Sequence, residues 1–369
     1  MTPPPLRLLF ASGESYLPFA LGGAERSVDE LLRALRARGH EGEVLVGLGR
    51  GAPQRGHRLW RLLTGARREA RRDDKNGYPT HRAIPRRILE AFRERVTAAR
   101  PDLVVVWNRA SADLAREAAV RGIPSIVWVH DATLSWFTGH LPPEPATRIA
   151  AVSEFLAHFA CERLARPVSV LRPVLALDAV RATERRPTFV TMVNPRPEKG
   201  VDVALAVAER LPGRRFLLVG SDALPADERT RLAARVRSLH NVRVVARAQD
   251  MRAVYAETAV LLVPSRCEDA APRVVLEAQA NGIPVVASRV GGIPEIGGEG
   301  VALLPRDASI DLWADTIEGL LRDPRAHARL ADAGRANAAR PEFRPESVVE
   351  AFLALATDVR RATPPGVSA

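Results

Sequence analysis

Short runs of β-branched and other apolar residues alternate with helical stretches along most of this 369-residue chain. Such alternation is the pattern of βαβ units, and continuously apolar strands are typical of a parallel sheet covered by helices on both faces. The first series of predicted strands comprises residues 6–11, 43–46, 103–107, 125–129 and 149–152. The second series comprises residues 188–193, 216–219, 242–245, 260–263 and 285–287. The chain is therefore predicted to form an α/β fold with two doubly wound sheets.

The stretch between the two series, RPVLALDAVRATERRP, has prolines at both ends and no steady period, which is typical of a linker. We predict an N-terminal Rossmann-like domain over residues 1–173, a linker over 174–187 and a C-terminal Rossmann-like domain over 188–344. Residues 345–362 are expected to form a helix that packs back on the N-terminal domain, followed by a tail at 363–369.

The composition is that of an ordinary globular protein. Hydrophobic residues make up 46% and charged residues 26% of the sequence, and no apolar run approaches the roughly 18 residues that a membrane-spanning helix needs. The apolar run near the N-terminus is too short for a secretory signal and predicts a first strand. Cys161 and Cys267 lack the spacing of a metal site or a redox pair. We therefore expect a cytoplasmic protein with two free thiols, either soluble or peripheral on the inner face of the membrane.

Positive charge is concentrated in one segment of the chain. The formal net charge is +11, and residues 50–100 contribute +10 of it, because they hold fourteen Arg and one Lys against five Asp or Glu. Four apolar side chains lie among these arginines: Leu59, Trp60, Leu62 and Leu63. This basic segment is compatible with an amphipathic stretch lying on an anionic membrane, or with a solvated loop. No nucleic-acid-binding motif accompanies it, so we expect an acidic or membrane-presented partner and no nucleic acid.

The segment 264–295 carries the most informative pattern. An acidic pair, Glu268 and Asp269, follows a predicted strand, and a helix is expected to start near Pro272, a residue suited to the first helical position. The N–H groups of residues 273–275 would then point toward the acidic loop, where they could hold a diphosphate.

Glu277 lies one turn into this predicted helix and could accept hydrogen bonds from a ribose diol, while an acid of the preceding loop could hold sugar hydroxyls. GGIPE at residues 291–295 supplies a glycine turn where backbone can approach a ligand closely. The alternative is that the acids only complement the dipole at the helix N-terminus.

Three further candidates lie where predicted strands end or helices begin. Of the 54 basic residues only Lys75 and Lys199 are lysines. A lysine at a helix start in so arginine-rich a chain indicates that this position needs a compact ammonium, and the alternative is that the lysine is there by chance. His130 follows a buried strand, where it could contact a sugar or only form a hydrogen-bonded cap. Gly22 and Gly23 open a helix, where backbone could meet a phosphate or simply form a tight turn.

These segments resemble the retaining glycosyltransferases of family four, which have the GT-B fold. Two acids separated by seven residues, EAxAxGxPVVAS at 277–288 and GGxPE at 291–295 carry the resemblance most specifically. It extends, in the family's order, to residues 22–41, 127–131, 151–157 and 197–200. The resemblance implies two Rossmann-like domains that face a central cleft, a nucleotide-diphosphate sugar as the donor, and no metal or other cofactor.

The resemblance also implies which residues act. Catalytic roles fall on His130, Lys199, Asp269 and Glu268. Donor binding falls on Gly22, Gly23, Arg196, Gly220, Ala270, Ala271, Arg273, Val274, Val275, Glu277, Gly291 and Gly292. Two positions depart from the family pattern. Asp269 has the spacing at which the family usually has Glu, with Glu268 one position off, and Asn194 stands where the family often has Arg.

The function that the resemblance implies is transfer of a sugar from a nucleotide diphosphate to an acceptor hydroxyl, with retention at the anomeric carbon. Lys199 and helix N-termini would stabilise the leaving phosphate in place of a metal ion, and a phosphate oxygen would take the acceptor proton. Two other functions are compatible with the sequence: a nucleotide-sugar epimerase of the same fold, and a non-catalytic basic protein that binds a polyanion. The residues do not distinguish UDP, GDP and ADP donors, and they identify neither sugar, acceptor nor oligomeric state.

Overall fold

The computed structural model describes residues 4–20, 22–49, 69–134, 141–220, 224–248 and 250–363. The chain divides into two compact units. The first comprises Met1–Leu175 and Glu342–Ala369, and the second comprises Ala176–Pro341. Within the described ranges no helix is both long and apolar enough to cross a bilayer.

The described part of the first unit contains an eight-stranded sheet. Its strands are β1 (Arg7–Ser12), β2 (Glu41–Gly47), β3 (Ala70–Asp73), β4 (Thr80–Ala83), β5 (Leu103–Trp107), β6 (Ser125–Val129), β7 (Thr147–Ala151) and β8 (Val168–Val170). Their order in the sheet is β3-β4-β2-β1-β5-β6-β7-β8, and every neighbouring pair is parallel except β3 and β4. The helices are α1 (Gly23–Ala37), α2 (Ile88–Ala99), α3 (Ser111–Val120) and α4 (Glu154–Leu164).

The second unit contains a six-stranded parallel sheet in the order β11-β10-β9-β12-β13-β14. These strands are β9 (Phe189–Val193), β10 (Arg215–Val219), β11 (Val242–Val245), β12 (Thr258–Val263), β13 (Val285–Ser288) and β14 (Val301–Leu304). The helices are α5 (Val201–Arg210), α6 (Ala226–Val236), α7 (Met251–Glu257), α8 (Arg273–Ala280), α9 (Ile293–Gly297), α10 (Ile310–Arg322) and α11 (Pro324–Ala338). One hydrophobic core forms as Trp313 and Ile317 of α10 pack with Phe216, Leu218 and Val260 of the sheet.

The two doubly wound sheets confirm the predicted fold class, with four strands that the sequence did not predict: β3, β4, β8 and β14. β3 and β4 read ARRD and THRA, so they present no apolar run, and they form because β4 pairs with β2 and β3 pairs with β4. β8 has only three residues, none of which is fully buried. Edge strands of this kind depend on tertiary pairing, which a periodicity argument does not detect.

The C-terminal helix, α12 (Pro345–Ala362), belongs to the first unit although it follows the second in sequence. It contacts α1, β6 and β7, and its Phe352 ring stacks on Phe10 of β1 with centroids 6.4 Å apart. Asp358 pairs with Arg148 of β7 at 2.8 Å. The chain therefore crosses between the units twice.

The segment predicted as a linker, 174–187, is held to the second unit by specific contacts. The Arg185 guanidinium donates to the backbone carbonyls of Thr258, Asn281 and Gly282 at 2.7, 2.9 and 3.1 Å respectively. The division between the units falls between Leu175 and Ala176, near the start of this segment. It therefore acts as part of the second unit over most of its length.

Residues 50–68 of the basic segment lie outside the described residues, and they include all four apolar side chains of the proposed amphipathic stretch. The described remainder, residues 69–100, includes β3 and β4, and several of its cations are paired with acids of the first unit. These ion pairs are Arg82–Asp73, Arg87–Glu69, Arg93–Glu117 and Arg95–Glu43, with separations of 2.6, 2.8, 2.9 and 2.7 Å. Much of the positive charge of residues 69–100 therefore has an internal structural partner.

Candidate active site

The donor-site candidates of the second unit lie at the carboxyl ends of the strands of its sheet. After β9 the chain forms a short 3-10 turn, Pro197–Lys199, before α5 begins. Gly200 has a φ of +79°, and a Cβ at this position would overlap the carbonyl of Pro264, which follows β12. Only glycine allows this approach. The loop after β9 is thereby packed against the loop after β12.

Lys199 and Asp269 form the central ion pair of this site. The Lys199 Nζ donates to Asp269 Oδ1 at 2.5 Å, and the Ser265 hydroxyl donates to Asp269 Oδ2 at 2.6 Å. The two charged side chains are only 26% and 14% exposed. Burial lowers the pKa of Lys199, but the Asp269 carboxylate more than offsets this, so the pKa stands above its ordinary value. Lys199 is therefore a fixed, fully charged ammonium at neutral pH.

Glu268, the other acid of the pair, has different partners. Its Oε2 accepts from the Gly291 N–H at 2.8 Å, and its Oε1 pairs with Arg306 at 3.0 Å. The Gly292 N–H donates to the Asp269 carbonyl at 2.7 Å. Gly291 has a φ of +55°, and a Cβ there would overlap the Asp269 backbone. The glycine turn predicted at 291–295 is thus packed directly on the acidic loop.

Glu277 is a buried carboxylate in the second turn of α8. Its Oε2 accepts a 2.6 Å hydrogen bond from the Tyr255 hydroxyl, and its Oε1 lies 3.6 Å from the Nε of Arg273. Helix α8 starts at Arg273 with Pro272 as its N-cap, as expected near this proline. Only 5% of the Glu277 side chain is exposed, so this acid is buried within the second unit.

Two of the predicted donor-binding residues use their backbone N–H groups elsewhere. The Val275 N–H donates to the Pro272 carbonyl at 3.1 Å, so the expectation of a free N–H at this position is wrong: the tight first turn of the helix satisfies it. The Gly220 N–H donates to the Val245 carbonyl at 3.0 Å as part of the sheet edge. Ala270, Ala271 and Val274 lie in the same loop and helix start as the acidic pair.

Arg196 lies two residues after Asn194, the position where the family often has an arginine. Its Nε donates to the Asn194 side-chain oxygen at 3.1 Å, and its Nη1 lies 3.6 Å from Glu198. Asn194 follows β9 with a left-handed φ of +61°. The guanidinium is 40% exposed, so it remains accessible to an anion at this sheet edge.

The candidates of the first unit lie at the carboxyl edge of their own sheet. Gly22 is the N-cap of α1, and a Cβ there would overlap the Glu25 carboxylate, which accepts from the backbone N–H groups of Gly22 and Glu25. Burial raises the pKa of Glu25, and Glu14 and Asp131 raise it further, while these backbone donors lower it in part. An acid of the chain itself thus covers the helix N-terminus at which Gly23 was predicted to meet a phosphate.

His130 follows β6, as predicted, and its ring packs against Trp128 with centroids 4.5 Å apart. The adjacent Asp131 accepts a hydrogen bond from the Thr133 N–H at 2.7 Å. The structure therefore places His130 at the same sheet edge as the α1 N-terminus of the first unit.

Sequence reasoning did not identify three polar residues of the second unit that hold the site: Ser265, Tyr255 and Arg306. Ser265 directly follows β12, so its place after a strand was an available signal. Tyr255 and Arg306 approach from other elements, and their contacts depend on the tertiary structure. Among the described residues, no group of three or more His, Cys, Asp and Glu side chains is arranged to hold a metal ion.

Two family models match the chain, one for each half. Residues 21–178 match the model described as Glycosyltransferase Family 4, and residues 185–323 match the model described as Glycosyl transferases group 1. Each half of the chain is thus similar to a glycosyltransferase domain. The second match spans Lys199, Glu268, Asp269 and Glu277, so the site built above lies within the residues that this model matches.

Individual curated relatives match part of the chain. The D-inositol 3-phosphate glycosyltransferase of Mycobacterium avium (strain 104) is 32% identical over 212 residues, which are 51% of this chain and 48% of that protein. Its counterpart from Mycolicibacterium smegmatis is 36% identical over 166 residues, 41% of this chain and 38% of that protein. The chain thus spans about half the length of the first relative and less of the second.

Solved structures match almost the whole chain. Sucrose-phosphate synthase from Thermosynechococcus elongatus has a TM-score of 0.76 at 19% identity, covering 96% of this chain and 99% of that one. Anabaena Alr3699/HepE in complex with UDP and glucose has a TM-score of 0.74 at 19% identity, covering 95% and 99%. These similarities show that the chain has the GT-B fold of two Rossmann-like α/β domains.

Proposed function

We propose that the protein transfers a sugar from a nucleotide-diphosphate sugar to an acceptor hydroxyl with retention of anomeric configuration and without a metal ion. The observation that carries this proposal is the Lys199 ammonium, which Asp269 keeps charged and fixed at the carboxyl edge of the second sheet, where open α/β sheets bind ligands. The UDP and UDP-glucose complexes of Anabaena Alr3699/HepE, a structural neighbour, support a nucleotide-sugar donor.

Each acid of the site has a distinct role in this proposal. Lys199 binds the diphosphate, and Asp269 acts through it by holding the ammonium in place. Glu268, whose side chain is 40% exposed, accepts hydrogen bonds from sugar hydroxyls, and Glu277 accepts them from the ribose diol. His130 remains the candidate of the first unit for orienting the sugar.

The transfer step balances without a protein base. The bond between the anomeric carbon and the diphosphate oxygen breaks, and the acceptor oxygen bonds to that carbon on the same face. The acceptor proton passes to a phosphate oxygen. Negative charge grows on the leaving diphosphate during this step, so a preorganised cation such as Lys199 stabilises the transition state more than the ground state.

A polyol phosphate is the acceptor class that we propose. Two relatives named above act on D-inositol 3-phosphate, and the basic segment of residues 50–100 gives this chain a positive region that attracts anions. Binding of the basic segment, residues 50–100, to an anionic membrane that carries such an acceptor stays a prediction. Sedimentation with anionic and neutral vesicles at low salt tests it, because only the anionic vesicles should retain the protein.

Donor screening followed by product analysis tests the proposed function. We expect one member of a panel of UDP-, GDP- and ADP-sugars to raise the melting temperature, since a ligand that binds only the native state stabilises it. Proton NMR should then show an α-linked product from that α-linked donor, at a rate unchanged by EDTA. Conversion of the donor with no stimulation by any acceptor would instead indicate an epimerase. Salt-sensitive polyanion binding without donor binding would indicate a non-catalytic protein.

A further inference from the structure

Tyr255 is a buried tyrosine of α7 that sequence reasoning did not connect with the donor site. Its side chain is 0% exposed, and its hydroxyl donates to Glu277 Oε2 at 2.6 Å. The other carboxylate oxygen, Oε1, faces Arg273 one helical turn earlier at 3.6 Å. Glu277 is therefore held from two sides, by a short hydrogen bond from a neutral hydroxyl and by a longer ionic contact.

This arrangement constrains the carboxylate without saturating it. A buried carboxylate is costly unless donors surround it, and its two oxygens offer about four acceptor positions. The Tyr255 hydroxyl takes one of them at ideal length, whereas a separation of 3.6 Å is longer than a hydrogen bond. Acceptor positions therefore remain for hydroxyl groups of a ligand, and Tyr255 sets the direction in which they point.

We infer that Tyr255 is the positioning residue for ribose recognition, because its hydroxyl orients the Glu277 carboxylate to accept both hydroxyls of the ribose diol. This inference rests on the proposed function, in which Glu277 binds the ribose of the donor. Without the tyrosine hydroxyl, the Glu277 carboxylate is free to turn toward Arg273. Its acceptor positions then no longer match the diol.

The test compares ribonucleotide with deoxyribonucleotide binding in Tyr255→Phe, which keeps the ring and removes only the hydroxyl. The probes are whichever of UDP, GDP and ADP binds the wild-type protein most tightly, and its 2′-deoxy counterpart, both measured by calorimetry. A hydrogen bond to a charged group is worth about tenfold or more in affinity, so the wild-type protein should prefer the ribonucleotide by at least about tenfold. In Tyr255→Phe we expect ribonucleotide affinity to fall by about tenfold or more. The affinity for the 2′-deoxynucleotide, which keeps only the 3′-hydroxyl, should fall by less, so that the ribose preference shrinks by at least about threefold. A purely structural role would weaken both probes equally.

Tyr78→Phe is a matched control. Tyr78 is also buried and donates to a carboxylate at 2.6 Å, that of Asp29 in the first unit. The Tyr78→Phe variant should keep the wild-type preference for the ribonucleotide, even if its melting temperature falls as much as that of Tyr255→Phe.

Glu277→Gln separates the two levels of the proposal. If the wild-type protein shows no ribose preference, or if Glu277→Gln keeps that preference, the ribose role of Glu277 is wrong. If Glu277→Gln loses the preference while folded Tyr255→Phe retains it, the role of Tyr255 alone is overturned. Circular dichroism establishes that each variant is folded. We expect Tyr255→Phe to fold because it keeps the aromatic ring.

Discussion

The pairing of Lys199 with Asp269 leads to the sharpest quantitative prediction. Asp269→Asn keeps the size of the side chain and its ability to accept from the Ser265 hydroxyl, but it removes the negative charge that lies 2.5 Å from the Lys199 ammonium. Because Lys199 is mostly buried, its ammonium would be left without its closest counter-charge.

The size of the effect follows from the burial of the two groups. Removal of one partner from a fully buried ion pair costs about 3 to 5 kcal/mol. Here the side chains are 26% and 14% exposed and Asn retains one hydrogen bond, so we expect a loss of about 2 to 3 kcal/mol. A lysine whose folded pKa is raised contributes its stability below its unfolded pKa and loses it only at higher pH, so the full effect is present at pH 7.

Urea unfolding at pH 7, monitored in the isolated variants, measures this loss, and Glu268→Gln is the matched control. Glu268 is the neighbouring acid, but its ion pair with Arg306 joins side chains that are 40% and 54% exposed. Exposed pairs contribute little, so this variant should lose less than about 1 kcal/mol. A double-mutant cycle of Asp269→Asn with Lys199→Met should give a coupling free energy above about 1 kcal/mol.

Equal losses in the two acid variants would refute the reasoning, because the ion pair would then have no special energetic role. A coupling free energy below about 0.5 kcal/mol would refute it as well, since that is the size expected of residues that do not interact.

Three further outcomes are expected. Lys199→Ala should lower turnover by about 100-fold or more at saturating donor, because it removes a preorganised charge at the leaving group, and turnover within a few-fold of wild type would contradict this. The stability of the wild-type protein relative to Glu25→Gln should fall as pH rises from the ordinary Glu pKa of 4.5 through the raised pKa of Glu25, because the folded state holds that proton more tightly. Urea unfolding of both proteins between pH 4 and 8 measures the difference in their free energies of unfolding. A difference that does not change with pH would contradict this prediction. Arg82→Met should lower the free energy of unfolding in urea by about 3 kcal/mol, because the buried Arg82 guanidinium pairs with Asp73 at 2.6 Å. Arg72→Gln is the control and should have little effect, because it breaks an exposed ion pair.

Buried strands were the part of the fold most open to prediction. Leu103–Trp107 and Ser125–Val129, which are buried at all five positions, agree with their predicted boundaries to the residue, because apolar runs bounded by turns have few alternatives. The edge strand Val242–Val245 also agrees, although none of its residues is fully buried. β3 and β4 could not be found this way. Their polar sequences are strands only because β2 offers an edge to pair with.

Part of the chemistry of the donor site could also be predicted from the sequence. An acidic pair before a proline-started helix and a rare lysine before another helix marked Lys199, Glu268 and Asp269 as candidates. Nothing in the pattern distinguished the two acids. The fold distinguishes them, because Asp269 faces Lys199 and Ser265 while Glu268 faces the Gly291 turn.

Local sequence therefore specified which segments are strands and helices and which side chains follow them, since both depend on periodicity and on helix-start residues within a few positions of one another. The order of strands decided which loops meet. β9 and β12 are neighbours in the sheet although two strands lie between them in sequence, and this adjacency brings Lys199 to Asp269 across 70 positions of chain. Tyr255 reaches Glu277 across 22 positions, from the helix before β12 to the helix after it. Contacts of this range depend on burial of the whole sheet, because only the packed domain supplies the free energy that holds buried charges and hydroxyls in register.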